Sequence, residues 1–124
     1  MSSESLHVPA DALSREGRLL HYAVTSLKEE LDAVDWYRQR ADDSDDEALK
    51  ALLLHNMREE MEHASMLLEY IRRADGDFAR YLKTYLFTEG PILEIEAEAE
   101  GKAPSGGAGT QGRRGFTIGP LKEE

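Results

Sequence analysis

Two stretches of about thirty residues each carry apolar side chains at helical spacing, separated only by an acidic turn. In the first, from about Asp11 to Ala41, Leu13, Leu20, Ala23, Val24, Leu27, Leu31 and Val34 recur at intervals of three, four and seven. That spacing lines one face of a helix, and Gly17 is its one weak residue. Asp42-Asp43-Ser44-Asp45-Asp46 then forms a turn, and Ser44 and Glu47 have the spacing of a capping box that starts a second helix. The second helix is expected to reach about Arg73. Leu49, Leu52, Leu53, Asn56, Glu60, His63, Ala64, Leu67 and Ile71 share one stripe of it. Arg72 and Arg73 suit the negative end of the helix dipole, and Asp75-Gly76 breaks the pattern. So short a connection makes the two helices antiparallel, a hairpin. A third, shorter helix fits Phe78 to about Phe87, before Gly90-Pro91. Ile92 to Glu100 alternates apolar and acidic residues, as a strand would. Yet Glu and Ala favour helix over strand and no second strand is present to pair with it, so this too reads as a short helix. The fold class is all-α: an antiparallel hairpin plus a short C-terminal helical part.

Composition narrows what such a hairpin can do. With 25 acidic against 15 basic residues, the net charge is -10, which repels nucleic-acid phosphates and suits cationic partners such as metal ions. The absence of cysteine excludes disulfides, thiolate metal sites, iron–sulfur clusters and a thiol nucleophile. The longest unbroken apolar run, Ala51 to Leu54, is far too short to span a membrane. No export signal opens the chain, so the expected address is cytoplasmic. From Gly101 to Gly115, six of fifteen residues are glycine and none is a large apolar residue, which reads as a flexible linker. The folding unit is then roughly residues 8–99, a size with a thin core unless it oligomerises.

The stripe of the second helix has polar members at its centre. At ~100° per residue, Glu60 falls within about 20° of Leu53, Leu67 and Ile71. A carboxylate centred on a core-facing stripe calls for a cation. Glu60-x-x-His63 projects an oxygen and a nitrogen to one point, the spacing by which bundle di-iron and di-manganese proteins hold metal. On spacing alone, a surface Glu–His pair on a very acidic helix is the better account, since such pairs are frequent by accident. The first helix adds Glu30, beside Leu27 and Val34 and about one helical turn from the level of Glu60. Glu29 and Asp32 point away from the stripe. Glu30, Glu60 and His63 make half of the usual bundle ligand set, a Glu plus a Glu-x-x-His taken twice. Two copies meeting face to face would complete it, and would build a four-helix bundle. Glu4-x-x-His7 lies ahead of Pro9 and reads as chance. His21 and His55 read as ordinary, the latter as a surface pair with Glu59.

Three blocks carry a family likeness: Glu29-Glu30-Leu31-Asp32-Ala33-Val34-Asp35-Trp36-Tyr37, Glu59-Glu60-Met61-Glu62-His63-Ala64, and Thr84-Tyr85-Leu86-Phe87-Thr88-Glu89-Gly90-Pro91-Ile92. Over about residues 7–96 the chain resembles the encapsulated ferritin-like proteins. The resemblance implies a half-ferritin helical domain at residues 1–100 that dimerises into a ferritin-like four-helix bundle, the dimers closing into a ring, commonly a decamer. It implies a ferroxidase that oxidises Fe(II) with dioxygen at a di-iron site between two subunits, with two irons per dimer interface and Glu30, Glu60 and His63 as ligands. A further metal site, through which iron enters, carries over onto Glu29 and Asp32, where the family usually has Glu at the second position. Trp36 and Tyr37 match family aromatics near the metal path. Trp36 reads as interface packing, and Tyr37 as a phenol able to donate a hydrogen bond or an electron. After the linker at 101–115, residues 116–124 resemble the peptide that loads cargo into encapsulin shells. Phe116, Ile118 and Leu121 are its anchors, and Pro120 stands where the pattern has Ser. The implied function is iron mineralisation and storage inside an encapsulin nanocompartment, with no nucleic-acid or membrane partner. A manganese catalase or peroxidase on the same half-bundle, or a non-catalytic assembly module, are the other readings.

Overall fold

The computed structural model describes residues 6–101. The described chain is helical and contains no strand. A 3-10 turn at Ala10–Ala12 precedes α1 (Arg15–Asp43), α2 (Glu47–Ala74), α3 (Gly76–Tyr85) and α4 (Ile92–Ala99). The linker expected after Gly101 and the apolar tail at 116–124 lie outside the described residues. Two compact units divide the chain between Ala74 and Asp75.

The first unit is the hairpin, with α1 packed along α2. The first helix starts later than its apolar spacing suggests. Leu13 takes an extended backbone (φ -87°, ψ 141°), so the segment from Asp11 is a separate turn. Ser14 caps α1 by accepting the Gly17 N–H at 2.9 Å. A side chain at Gly17 would put its Cβ 3.2 Å from that Ser14 Oγ, so glycine keeps the cap open. At the other end the expected capping box is replaced. Ser44 belongs to the C-terminus of α1, its N–H bonded to the Ala41 carbonyl. Asp46 caps α2 instead, Oδ2 accepting the Leu49 N–H at 2.8 Å. Its full negative charge, one residue before the helix, meets the positive end of the dipole better than a hydroxyl three residues away. The Ser44 hydroxyl ties the turn by bonding both the N–H and the carbonyl of Asp46 at 3.1 Å.

The hairpin core is narrow: Ala23, Ala41, Met57, Ala64 and Ile71 are buried. Three of the five are alanines, which let the helix axes approach closely but contribute little apolar area. Ile71, 1% exposed, is the largest fully buried side chain, and its burial stabilises the fold by roughly 2–3 kcal/mol. The stripes are wider than two helices can cover. Leu31, Leu49 and Leu52 sit at their borders and stay about half exposed, as do Tyr22, Trp36, Met66 and Tyr70. Among the described residues no helix is long and apolar enough to cross a membrane.

In the second unit α3 packs on α4. Asp75 starts α3 two residues before the expected Phe78, its Oδ1 accepting the Phe78 N–H at 2.9 Å. The helix also ends two residues early. Leu86 turns extended and Phe87 enters left-handed backbone at φ 64°, while the Thr88 hydroxyl donates to the Tyr85 carbonyl at 2.6 Å. Pro91, with its fixed φ and missing N–H, introduces α4. The alternating segment is thus a helix, as its Glu and Ala content requires, with Ile95 as its buried residue.

Candidate metal centre

Glu30 projects from the middle of α1, and Glu60 and His63 from the middle of α2. Packing of the two helices brings all three together. His63 Nδ1 lies 3.3 Å from Glu60 Oε1 and 3.7 Å from Glu30 Oε1. One ligand atom from each residue falls within 4.8 Å of the others, and among the described residues this is the only such group of three or more His, Asp or Glu. Metal bonds of about 2.1 Å place opposite ligands about 4.2 Å apart, so small side-chain movements would seat one ion. The two carboxylates are each about a quarter exposed (25% for Glu30, 24% for Glu60) and His63 is 44% exposed. They lie at the edge of the helix interface, open on one side.

The three groups perturb one another's protonation. Glu30 and Glu60 face each other, and their mutual interaction moves their pKa values apart. The hydrogen bond to Glu60 holds the Glu30 carboxyl above its ordinary 4.5, assisted by burial and by the charges of Glu60 and Glu29, against the pull of His63. Glu60 is the acceptor and moves the other way, lowered first by Glu30 and then by His63. His63 rises above 6.5 through its hydrogen bond to Glu60 and the nearby charges of Glu30, Glu60 and Glu59. Two acids and an imidazole that compete for protons at one point are the donors a hard-to-borderline divalent metal needs.

The other residues singled out from the sequence stand apart from this group. Glu29 and Asp32 are exposed on α1, and Trp36 is 51% exposed. Tyr37 is half-buried, with the Arg40 guanidinium 5.6 Å from its ring centroid. That cation–π contact was not anticipated, although residues three apart on a helix are neighbours and the spacing alone could have indicated it. His55 Nε2 lies 3.8 Å from Glu59 Oε2, both well exposed, the surface pair that was expected.

The EncFtn-like family pattern matches residues 5–89, more than half of the chain. The chain belongs to the EncFtn-like family. Within it, the chain is similar to the encapsulated ferritin-like protein of Rhodospirillum rubrum, 50% identical over 128 aligned residues that span 99% of this chain and 91% of the relative. It is also similar to the encapsulin nanocompartment cargo protein EncC of Myxococcus xanthus, 38% identical over 78% of this chain and 79% of the relative. Among solved structures, the crystal structure of protein ne0167 from Nitrosomonas europaea is similar at a TM-score of 0.68 and 54% identity, covering 70% of this EncFtn-like chain and 96% of that one.

Proposed function

We propose that this chain is a ferroxidase that oxidises Fe(II) for mineralisation and storage inside an encapsulin shell. The observation that carries this reading is the meeting of Glu30, Glu60 and His63 within 4.8 Å, from two helices of an EncFtn-like chain. Iron is the substrate. Carboxylate oxygens and an imidazole nitrogen bind Fe(II), and the negative charge of the carboxylates favours the more highly charged Fe(III). Each of two irons gives one electron to dioxygen, a two-electron reduction.

Three ligands are half of what a bundle di-metal site uses. A second copy, docked face to face, supplies the other Glu30, Glu60 and His63. The half-exposed Tyr22, Leu31, Trp36, Leu49, Leu52, Met66 and Tyr70 of the hairpin give such a dimer apolar area to bury. The dimers close into a ring, a decamer. Glu29 and Asp32, exposed on α1 next to Glu30 in sequence, take up iron on its way in, and Tyr37 stands by as a phenol donor. An open ring has nowhere to store mineral, so the proposed organisation is a helical domain at 1–100, a linker at 101–115 and a tail at 116–124. Phe116, Ile118 and Leu121 of the tail dock the shell interior. Likeness to the Rhodospirillum rubrum protein runs over 99% of the chain, tail included.

Anaerobic Fe(II) titration followed by air, with the oligomer mass recorded, tests the reading. Saturation at about one iron per chain, with oxidation on aeration, is expected from a shared pair. Two tightly bound irons per isolated chain would refute the shared site, and no iron binding would refute the ferroxidase. Peroxide turnover faster than Fe(II) oxidation would replace it with a catalase or peroxidase.

A further inference from the structure

Tyr37 follows Glu30 by seven residues on α1, which places it about 20° round the helix from Glu30 and two turns, about 10 Å, along it. A phenol on that side of the hairpin has two roles open to it. It can donate its O–H in a hydrogen bond, or it can give up an electron. Loss of an electron also releases the phenolic proton and leaves a neutral phenoxyl radical.

The contact on the ring bears on which role prevails. The Arg40 guanidinium lies 5.6 Å from the Tyr37 ring centroid, reaching back one turn along the same helix. Among the described residues no carboxylate pairs with Arg40, so its charge is left to the ring. The Arg80–Tyr81 contact differs. Arg80 is closer to its ring, at 4.4 Å, but its Nη2 also donates to Asp77 Oδ1 at 2.9 Å, which offsets the charge. Tyr81 is exposed, whereas Tyr37 is half-buried and its contact is less screened by water. A cation is attracted by the electron-rich face of an aromatic ring. Withdrawing an electron from the ring weakens that attraction, so the contact favours the intact phenol.

We propose that Arg40 is a positioning residue that keeps Tyr37 a hydrogen-bond donor and guards it against one-electron oxidation. The threat is the hydrogen peroxide left when dioxygen takes two electrons, since two phenols can reduce one peroxide to two waters while becoming two phenoxyl radicals. The role rests on the ferroxidase reading for that oxidant, but the protecting contact itself needs no metal.

The test is square-wave voltammetry of the metal-free full chain carrying 3-aminotyrosine in place of Tyr37, a ring oxidised below the other tyrosines and Trp36 and so seen as a separate wave. A cation–π contact of this kind shifts an equilibrium by about two- to fivefold. At 59 mV per tenfold, the wave should lie about 20–40 mV higher with Arg40 in place than in Arg40→Gln. Arg40→Lys should keep at least half of that difference, because it restores a cation at the same position. Arg38→Gln removes the same charge from an exposed residue next to Tyr37 in sequence, which does not face the ring, and should leave the wave where it is. Equal potentials with Arg40 and in Arg40→Gln would overturn the guarding role. So would an equal shift in Arg38→Gln, because net charge rather than the contact would then set the potential. No iron enters the measurement, so its failure is distinct from failure of the ferroxidase reading, which would show as absent Fe(II) oxidation.

Discussion

The raised pKa values of His63 and Glu30 predict opposite pH responses for metal binding and for the stability of the metal-free protein. Metal displaces protons, so affinity is low where the ligands hold them. His63 is raised above 6.5, and below that raised value each ion bound must expel one proton from it. The log of the affinity should then climb about one unit, tenfold, per pH unit. Nearer the raised value of Glu30 the Glu30 proton is displaced as well, and the slope should approach about two. Above the His63 value the curve flattens. Stability without metal runs the other way. A group held above its unfolded pKa adds stability that is fully present below the unfolded value and is lost as pH rises through the folded one. His63 and Glu30 are both of this kind, so the metal-free hairpin should lose stability across the window in which metal binding gains strength. Isothermal titration with Fe(II) under anaerobic conditions, repeated from about pH 5 to about pH 8 in buffers of different ionisation heat, counts the protons released. Melting curves with and without metal should cross their trends over the same range. An affinity independent of pH, or a slope unchanged in His63→Ala, would refute the reasoning.

Glu30→Ala, Glu60→Ala and His63→Ala each remove one of three ligands and should bring Fe(II) oxidation, followed by stopped-flow absorbance, close to the uncatalysed background; wild-type rates in all three would sink the assignment. Ile71→Ala leaves a cavity at the most buried large side chain of the hairpin and should cost about 2–5 kcal/mol by urea denaturation. Gly76, in the first turn of α3, has nothing within 4 Å of an added Cβ, so Gly76→Ala should stabilise by about 0.4–1 kcal/mol. Gly17→Ala should show no such gain, because its Cβ would crowd the Ser14 cap at 3.2 Å; comparing the two melting temperatures checks both.

The hairpin is legible in the sequence because its signals are local. Leu20, Leu27 and Val34 recur every seven residues, and the acidic turn after them is too polar to bury. The helix ends are less so, because several residues compete for each cap. Leu13 continues the stripe of α1 in projection, yet its backbone is extended, and only the Ser14–Gly17 hydrogen bond reveals where the helix starts. Ser44 and Asp46 both precede α2 at cap-like spacing, and three-dimensional chain direction, not composition, decides for Asp46. The left-handed Phe87 has no sequence signal at all, since an aromatic residue is among the poorer choices for that conformation.

The candidate site is legible for a different reason. Glu60 breaks an apolar stripe, and such a break must be offset by a partner. The register of the hairpin then limits which residue of α1 can supply it. By simple level matching Glu30 is about a turn away, but side chains on a helix lean toward its N-terminus and a Glu is long enough to cover that offset. The observed 3.7 Å between Glu30 Oε1 and His63 Nδ1 reflects that reach. Position at the border of the stripe matters as much as spacing. Fully buried, two facing carboxylates would destabilise the hairpin before any cation arrived. Fully exposed, they would be solvated singly and would not gather. At about a quarter exposed they meet at one point, and keep one open side through which a metal, or the facing ligands of a second copy, can reach them.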